Sequence, residues 1–268
     1  MAIAFDAASN GVQASGNTDL TVAHTCTGSA LFLIVSTTQQ GNNDNGTCTY
    51  NGVAMTKFTS QLYSNGRSEV FYLQGPATGT HNIVASSNCD SKSLAAASYT
   101  GHGGGIDANN GSVSDTGVTS LTGSNTSIAD NCWTILGAGT QVNGQAAGAG
   151  ATQRAIGAQL NCTAGVYDSN GPKTPAGSVS ETVTFSSARY GYTILSIKPL
   201  VPKTVTDASS MTEGMVNGNK LTEVIGIFTV YLKTMADALG LSETYFSFQK
   251  NWANVAKVVS SWVNQTKP

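Results

Sequence analysis

Short apolar runs separated by polar turn clusters recur along residues 1–199, and their length and alternation are those of strands rather than of helices. Leu31-Phe-Leu-Ile-Val35 is a continuous apolar run of strand length, which predicts a strand covered on both faces. Gln39 to Gly46 is loop chemistry throughout. Asn51-Gly52 lies between two short runs, Cys48–Tyr50 and Val53–Met55, and predicts a tight hairpin. Further strands are expected at Val70–Leu73, His81–Val84, Leu94–Tyr99, Trp133–Leu136, Thr182–Ser186 and Tyr190–Ile197, the last with Thr193, Leu195 and Ile197 on one face. Met1-Ala-Ile-Ala-Phe-Asp6 reads as a first strand. The Gly/Ala-rich stretch 139–152 fits either a loop or a weak strand. Strands at this spacing predict an antiparallel jelly-roll or Greek-key β-sandwich.

The pattern changes at Lys198-Pro-Leu-Val-Pro-Lys203, where two prolines stiffen the chain and end strand pairing. The first 200 residues carry seven basic and ten acidic side chains, the last 68 carry six and five, so charge density rises sharply past this point. Two domains are therefore expected, a sandwich over 1–199 and a small mixed α/β segment over 200–268. The second contains an internal repeat: Val205–Glu213 and Met235–Glu243 share an Asp-Ala pair and a terminal Ser/Thr-Glu. Phe228 and Leu232 continue a helical spacing that begins at Leu221, and Trp252, Val255, Val259 and Trp262 form another. A short segment cannot bury such stripes alone, so these six residues are the expected assembly contacts, within a homo-oligomer such as a trimer or against another protein.

Composition sharpens the picture. Charged residues make up 10% of the chain, well below the roughly 25% of an average soluble domain. Ser, Thr, Asn, Gln and 30 glycines supply the polarity, which suits many turns and few helices. A net charge of −2 gives no basic field for nucleic acid, and no apolar run approaches the length of a membrane-spanning helix. The first residues lack the basic and apolar regions of a secretory signal, so synthesis in a cytoplasm is expected. Five dispersed cysteines without a Cys-x-x-Cys pair read as small buried hydrophobes rather than zinc ligands.

Candidate chemistry is sparse. His102-Gly-Gly-Gly105 copies a hydrolase oxyanion loop, but no Gly-x-Ser-x-Gly elbow accompanies it and no histidine follows, so a flexible glycine turn is the expected role. His24 and His81 fall in predicted strands. The acids Asp107, Asp115, Asp168 and Glu181 are scattered, and Asn42-Asn-Asp44 lacks the spaced carboxylates of a calcium loop. No cofactor or metal site, and no catalytic role, is expected. Sequons at Asn45, Asn110, Asn125, Asn161 and Asn264 are chance matches in an Asn/Ser/Thr-rich chain. Trp133, beside Ile135 and Leu136, is expected in the core. Tyr167 and Asp168, next to a Ser-Asn-Gly turn, are the expected surface contacts for a glycan.

Four phrases, Thr49-Tyr-Asn-Gly-Val-Ala-Met-Thr56, Pro76-Ala-Thr-Gly-Thr-His-Asn-Ile83, Ala97-Ser-Tyr-Thr-Gly101 and Ser196-Ile-Lys-Pro199, resemble in order a domain of bacteriophage virion proteins and related bacterial surface proteins. The Asp-Ala-x-x-Leu-Ser-Glu tail resembles segments repeated in phage structural proteins. The resemblance implies a non-enzymatic sandwich displayed on a virion, as capsid decoration, fibre or tail protein, in contact with itself and other virion proteins. The alternative is a carbohydrate- or receptor-binding module that meets host surface glycans.

Overall fold

The computed structural model describes residues 1–13, 15–41, 46–89, 91–142 and 144–201, all of them within the compact unit Met1–Pro202. The expected contacts Phe228, Leu232, Trp252, Val255, Val259 and Trp262, the 30-residue repeat and the mixed α/β segment lie outside the described residues.

The described chain is mainly β and antiparallel, without a helix. In order, the strands are β1 (Ala4–Gln13), β2 (Leu20–Cys26), β3 (Phe32–Gln40), β4 (Thr47–Tyr50), β5 (Val53–Ala54), β6 (Thr56–Tyr63), β7 (Gly66–Gln74), β8 (Gly79–Ser86) and β9 (Lys92–Thr100). There follow β10 (His102–Thr126), β11 (Trp133–Thr140), β12 (Ala146–Ala147), β13 (Thr152–Gln159), β14 (Cys162–Asp168) and β15 (Ser178–Pro199).

Where one pair of stacked sheets was expected, three form. A central sheet runs β1-β9-β3-β7-β6, a small sheet β2-β8-β4-β5, and a large sheet β10-β15-β11-β14-β13. Alternate residues of the central strands serve two cores. Phe32, Ile34, Val70, Ala97 and Tyr99 pack against Trp133, Ile135, Val166, Leu195 and Ile197 of the large sheet. Their neighbours Leu33, Val35, Phe71, Leu94 and Ala96 pack against Val22, Cys48, Tyr50 and Ile83 of the small sheet. The continuous run at Leu31–Val35 is explained by this sharing, because a strand with sheets on both sides has no wet face. At Asn51-Gly52 both residues take positive φ (51° and 74°), the geometry of a type I′ hairpin turn between β4 and β5.

The longest strands make a fourth layer. β10 and β15 pair along their whole length, but the register shifts between Ser114 and Val118, opposite Tyr190 and Ala188. The ribbon bends there, as bulged strands do. Beyond the bend, Leu121, Val183 and Phe185 cover Leu136, Tyr167, Tyr192 and Ile194 on the far side of the large sheet. The stretch left open at 139–152 contributes the end of β11, the two-residue β12 paired to β15, and the start of β13. His102-Gly-Gly-Gly105 is no free turn: it opens β10, with His102 opposite Pro199 and buried against Phe32, the ring centroids 4.9 Å apart.

The unit has two distinct poles. At one, the Met1 amino group donates to Leu200 O at 2.6 Å, and Leu200 N donates to Gly101 O at 2.7 Å. From there β3 runs from Phe32, opposite Tyr99, to Gln40, opposite Gly66, while β11 runs from Trp133, opposite Ile197, to Thr140, opposite Tyr190. The second pole lies about 26 Å away, eight residue steps along β3.

Candidate functional site

Tyr167 and Asp168 are the last residues of β14 and are fully buried, so neither is the surface glycan contact that the adjoining turn suggested. Their side chains leave opposite faces of the large sheet. Tyr167 lies in the outer core, where its hydroxyl donates to Gln145 Oε1 at 3.0 Å. Asp168 faces the central sheet and accepts from Tyr99 Oη at 2.9 Å, from Arg154 Nε at 2.7 Å and, through its other oxygen, from the Asn170 amide at 2.9 Å. Arg154 stacks on the Phe5 ring, 4.4 Å from its centroid, and also donates to Asn170 Oδ1. Both oxygens of this carboxylate are engaged, which makes it a structural anchor.

Other ionisable groups are likewise absorbed by the fold. Glu69 is buried and accepts from Lys57 Nζ at 2.8 Å. Asp107 accepts from the amides of Ile128 and Ala129 and lies 3.9 Å from Lys198 Nζ. Glu181 is bonded by the Thr134 hydroxyl while its second oxygen is buried without a partner, and burial pushes its pKa up to about 8. Asp107, Asp115 and Glu181 share no hydrogen-bond partner with one another or with Asp168, although the Asp168 charge adds to the rise at Glu181.

Among the described residues, the nearest approach to a nucleophile and base is Ser9 Oγ, 2.9 Å from His24 Nδ1. Burial holds His24 below its ordinary value of 6.5, against the pull of the Asp6 charge, so the imidazole is neutral at pH 7. Asp6 is engaged elsewhere, by the Thr27 amide and hydroxyl and by Ser98, and does not hydrogen-bond the ring. His24 Nε2 is buried with no partner. The third group that orients a catalytic base is therefore absent from this pair.

All five cysteines are buried thiols. Burial raises Cys48 and Cys132 to about 12 and lifts Cys26 and Cys162 as well. Among the described residues no group of three or more His, Cys, Asp or Glu side chains is placed to hold a metal ion, and no helix is long and apolar enough to cross a membrane.

An open cleft of about 510 Å³ lies at the second pole. It is walled by Gln40 at the end of β3, Asn65 in the β6–β7 turn, Gln141 after β11, Asn161 in the β13–β14 turn, and Ser187 and Arg189 at the bend of β15. A closed circuit of hydrogen bonds sets its floor. Arg189 Nε donates to Asp115 O at 2.8 Å and Nη1 to Gln141 Oε1 at 3.3 Å; Gln141 Nε2 donates to Ser64 O at 2.6 Å; the Ser64 amide donates to Asp115 Oδ1 at 2.5 Å. Sequence reasoning passed over these residues, because Asn65 and Asn161 look like ordinary turn residues and both do take positive φ (62° and 67°). Only the bend in a paired ribbon brings Arg189 to them.

No family model matches the sequence, no curated protein matches it, and no solved structure matches the fold.

Proposed function

We propose that this chain is a structural protein displayed on the surface of a bacteriophage particle, as capsid decoration or fibre. The unit Met1–Pro202 faces outward, and the segment from 200 to 268 docks it onto copies of itself and onto other virion proteins. The polarity of the unit carries this reading: residues 1 and 200 meet at one pole, so the chain leaves toward residues 201–268 from the end opposite the polar cleft. Strand order gives further support. The order β1-β9-β3-β7 facing β2-β8-β4 supports a jelly-roll reading of this part of the unit, and jelly rolls are common in viral capsid proteins. Internal neutralisation of the buried acids and burial of every thiol suit a body that must persist outside a cell.

Particles of the encoding phage, purified and labelled with gold-conjugated antibody to the 1–202 unit, test the proposal. Label on the outer surface is the expected result, and a chain truncated after residue 202 is expected to fold but to be missing from particles. Purified particles that lack the protein altogether overturn it.

A carbohydrate- or receptor-binding module is the second reading, and the cleft of about 510 Å³ is the observation that favours it. The two are compatible, since a displayed unit can also bind.

A further inference from the structure

We propose that the cleft at the second pole binds a carboxylate-bearing saccharide, with Arg189 taking the carboxylate and the surrounding amides taking the hydroxyls. The inference rests on the receptor-binding reading and names its ligand class.

The cation is the first argument. Arg154, the other half-buried arginine, is neutralised by Asp168 at 2.7 Å. Among the described residues Arg189 has no carboxylate within ion-pair distance; its partners are a backbone carbonyl and an amide oxygen. Those two bonds occupy Nε and one Nη1 proton and leave the Nη2 protons uncommitted within the described protein. A guanidinium held by two bonds and short of a counter-ion is arranged for the forked recognition of a carboxylate.

The walls are the second argument. The side-chain amides of Gln40, Asn65 and Asn161 make no hydrogen bond within the described protein, and each offers donors beside an acceptor. A sugar hydroxyl is itself donor and acceptor, so a row of free amides matches vicinal hydroxyls better than it matches an apolar or purely anionic ligand. Among the described residues no aromatic ring lines the cleft, and the Asp115 carboxylate in its floor is engaged by the Ser64 amide, so recognition is by hydrogen bonds and charge rather than stacking. The volume falls within the roughly 300–1,000 Å³ usual for ligand sites.

Rigidity is the third. The circuit through Asp115, Arg189, Gln141 and Ser64 ties the β6–β7 turn, both strands of the bent ribbon and the end of β11 together. Its geometry is thus set before any ligand arrives, which reduces the ordering cost of binding.

Titration calorimetry and saturation-transfer NMR on the full chain test this, with trigalacturonate and sialyllactose as acidic probes, and maltotriose, lactose and a tri-glutamate peptide as comparators. At least one acidic sugar is expected to bind, more weakly as salt is raised, and Arg189→Gln is expected to weaken it about tenfold or more. Gln40→Glu, which disturbs no hydrogen bond, is expected to repel the same probe and keeps the test open should Arg189→Gln fail to fold. The proposal is overturned by no binding of either acidic sugar, by equal binding of maltotriose or lactose, by equal binding of the peptide, or by binding that both variants leave unchanged. Particle labelling is independent of every one of these outcomes, so failure here leaves the display reading standing.

Discussion

Tyr99 and Asp168, 69 residues apart in sequence, meet across the seam between the central and large sheets, where the phenol donates a 2.9 Å hydrogen bond to a fully buried carboxylate. Arg154 closes the group from the solvent side. Asp168→Ala would leave the guanidinium beside an empty, largely dry space and is expected to lower the unfolding free energy by about 3 kcal/mol. Tyr99→Phe keeps Arg154 and the Asn170 amide on the carboxylate and is expected to cost only about 1 kcal/mol. Urea denaturation of both variants measures the difference, and equal losses would remove the anchoring role assigned to Asp168.

Glu181 gives a pH dependence whose sign follows from its environment. Its ordinary value is 4.5 and burial raises it to about 8 in the folded chain. Between these values the folded state holds a proton that the unfolded state has released, so stability falls as pH rises through this window and levels off above about 8. Melting temperatures of the wild type are expected to decline from pH 5 to pH 8 relative to Glu181→Gln, which keeps an acceptor for Thr134 and carries no charge. Parallel curves for the two proteins would contradict the assignment.

The cysteines offer a chemical check. With thiols buried and Cys48 and Cys132 raised to about 12, the native protein is expected to be silent toward a disulfide reagent at pH 8. In guanidinium all five should react. Rapid labelling of folded protein would contradict the packing around them.

Contact between the central and large sheets is close enough to be tested with one methyl group. A Cβ on Gly157 of β13 would lie 2.5 Å from Leu94 O and 2.8 Å from Gly11 O, both backbone atoms that cannot swing aside. Gly157→Ala is expected to destabilise by about 2 kcal/mol, and thermal melting of the variant beside the wild type checks it.

Much of the fold could be read from residue order. The run Leu31–Val35 and the Asn51-Gly52 turn announced β3 and the β4–β5 hairpin through local chemistry alone. Other elements were hidden because their cause is not local. β10 is rich in Ser, Asn and Gly and has no apolar alternation over most of its length; it is a strand because β15 supplies its partners. The strand expected at Tyr190–Ile197, with Thr193, Leu195 and Ile197 on one face, is buried on its other face too, Ile194 and Ser196 included, since β15 is enclosed between two cores. Asp168 began what looked like an exposed turn, and only Arg154, fourteen residues earlier, makes its burial affordable. The cleft follows the same rule: its four amides come from four separate turns and strand ends that no spacing connects.

The contact between the Met1 amino group and Leu200 O has a practical corollary. A body whose two ends touch can be grafted as a cassette into a surface loop of an unrelated host without stretching either partner, because the host need open only a gap of one hydrogen bond.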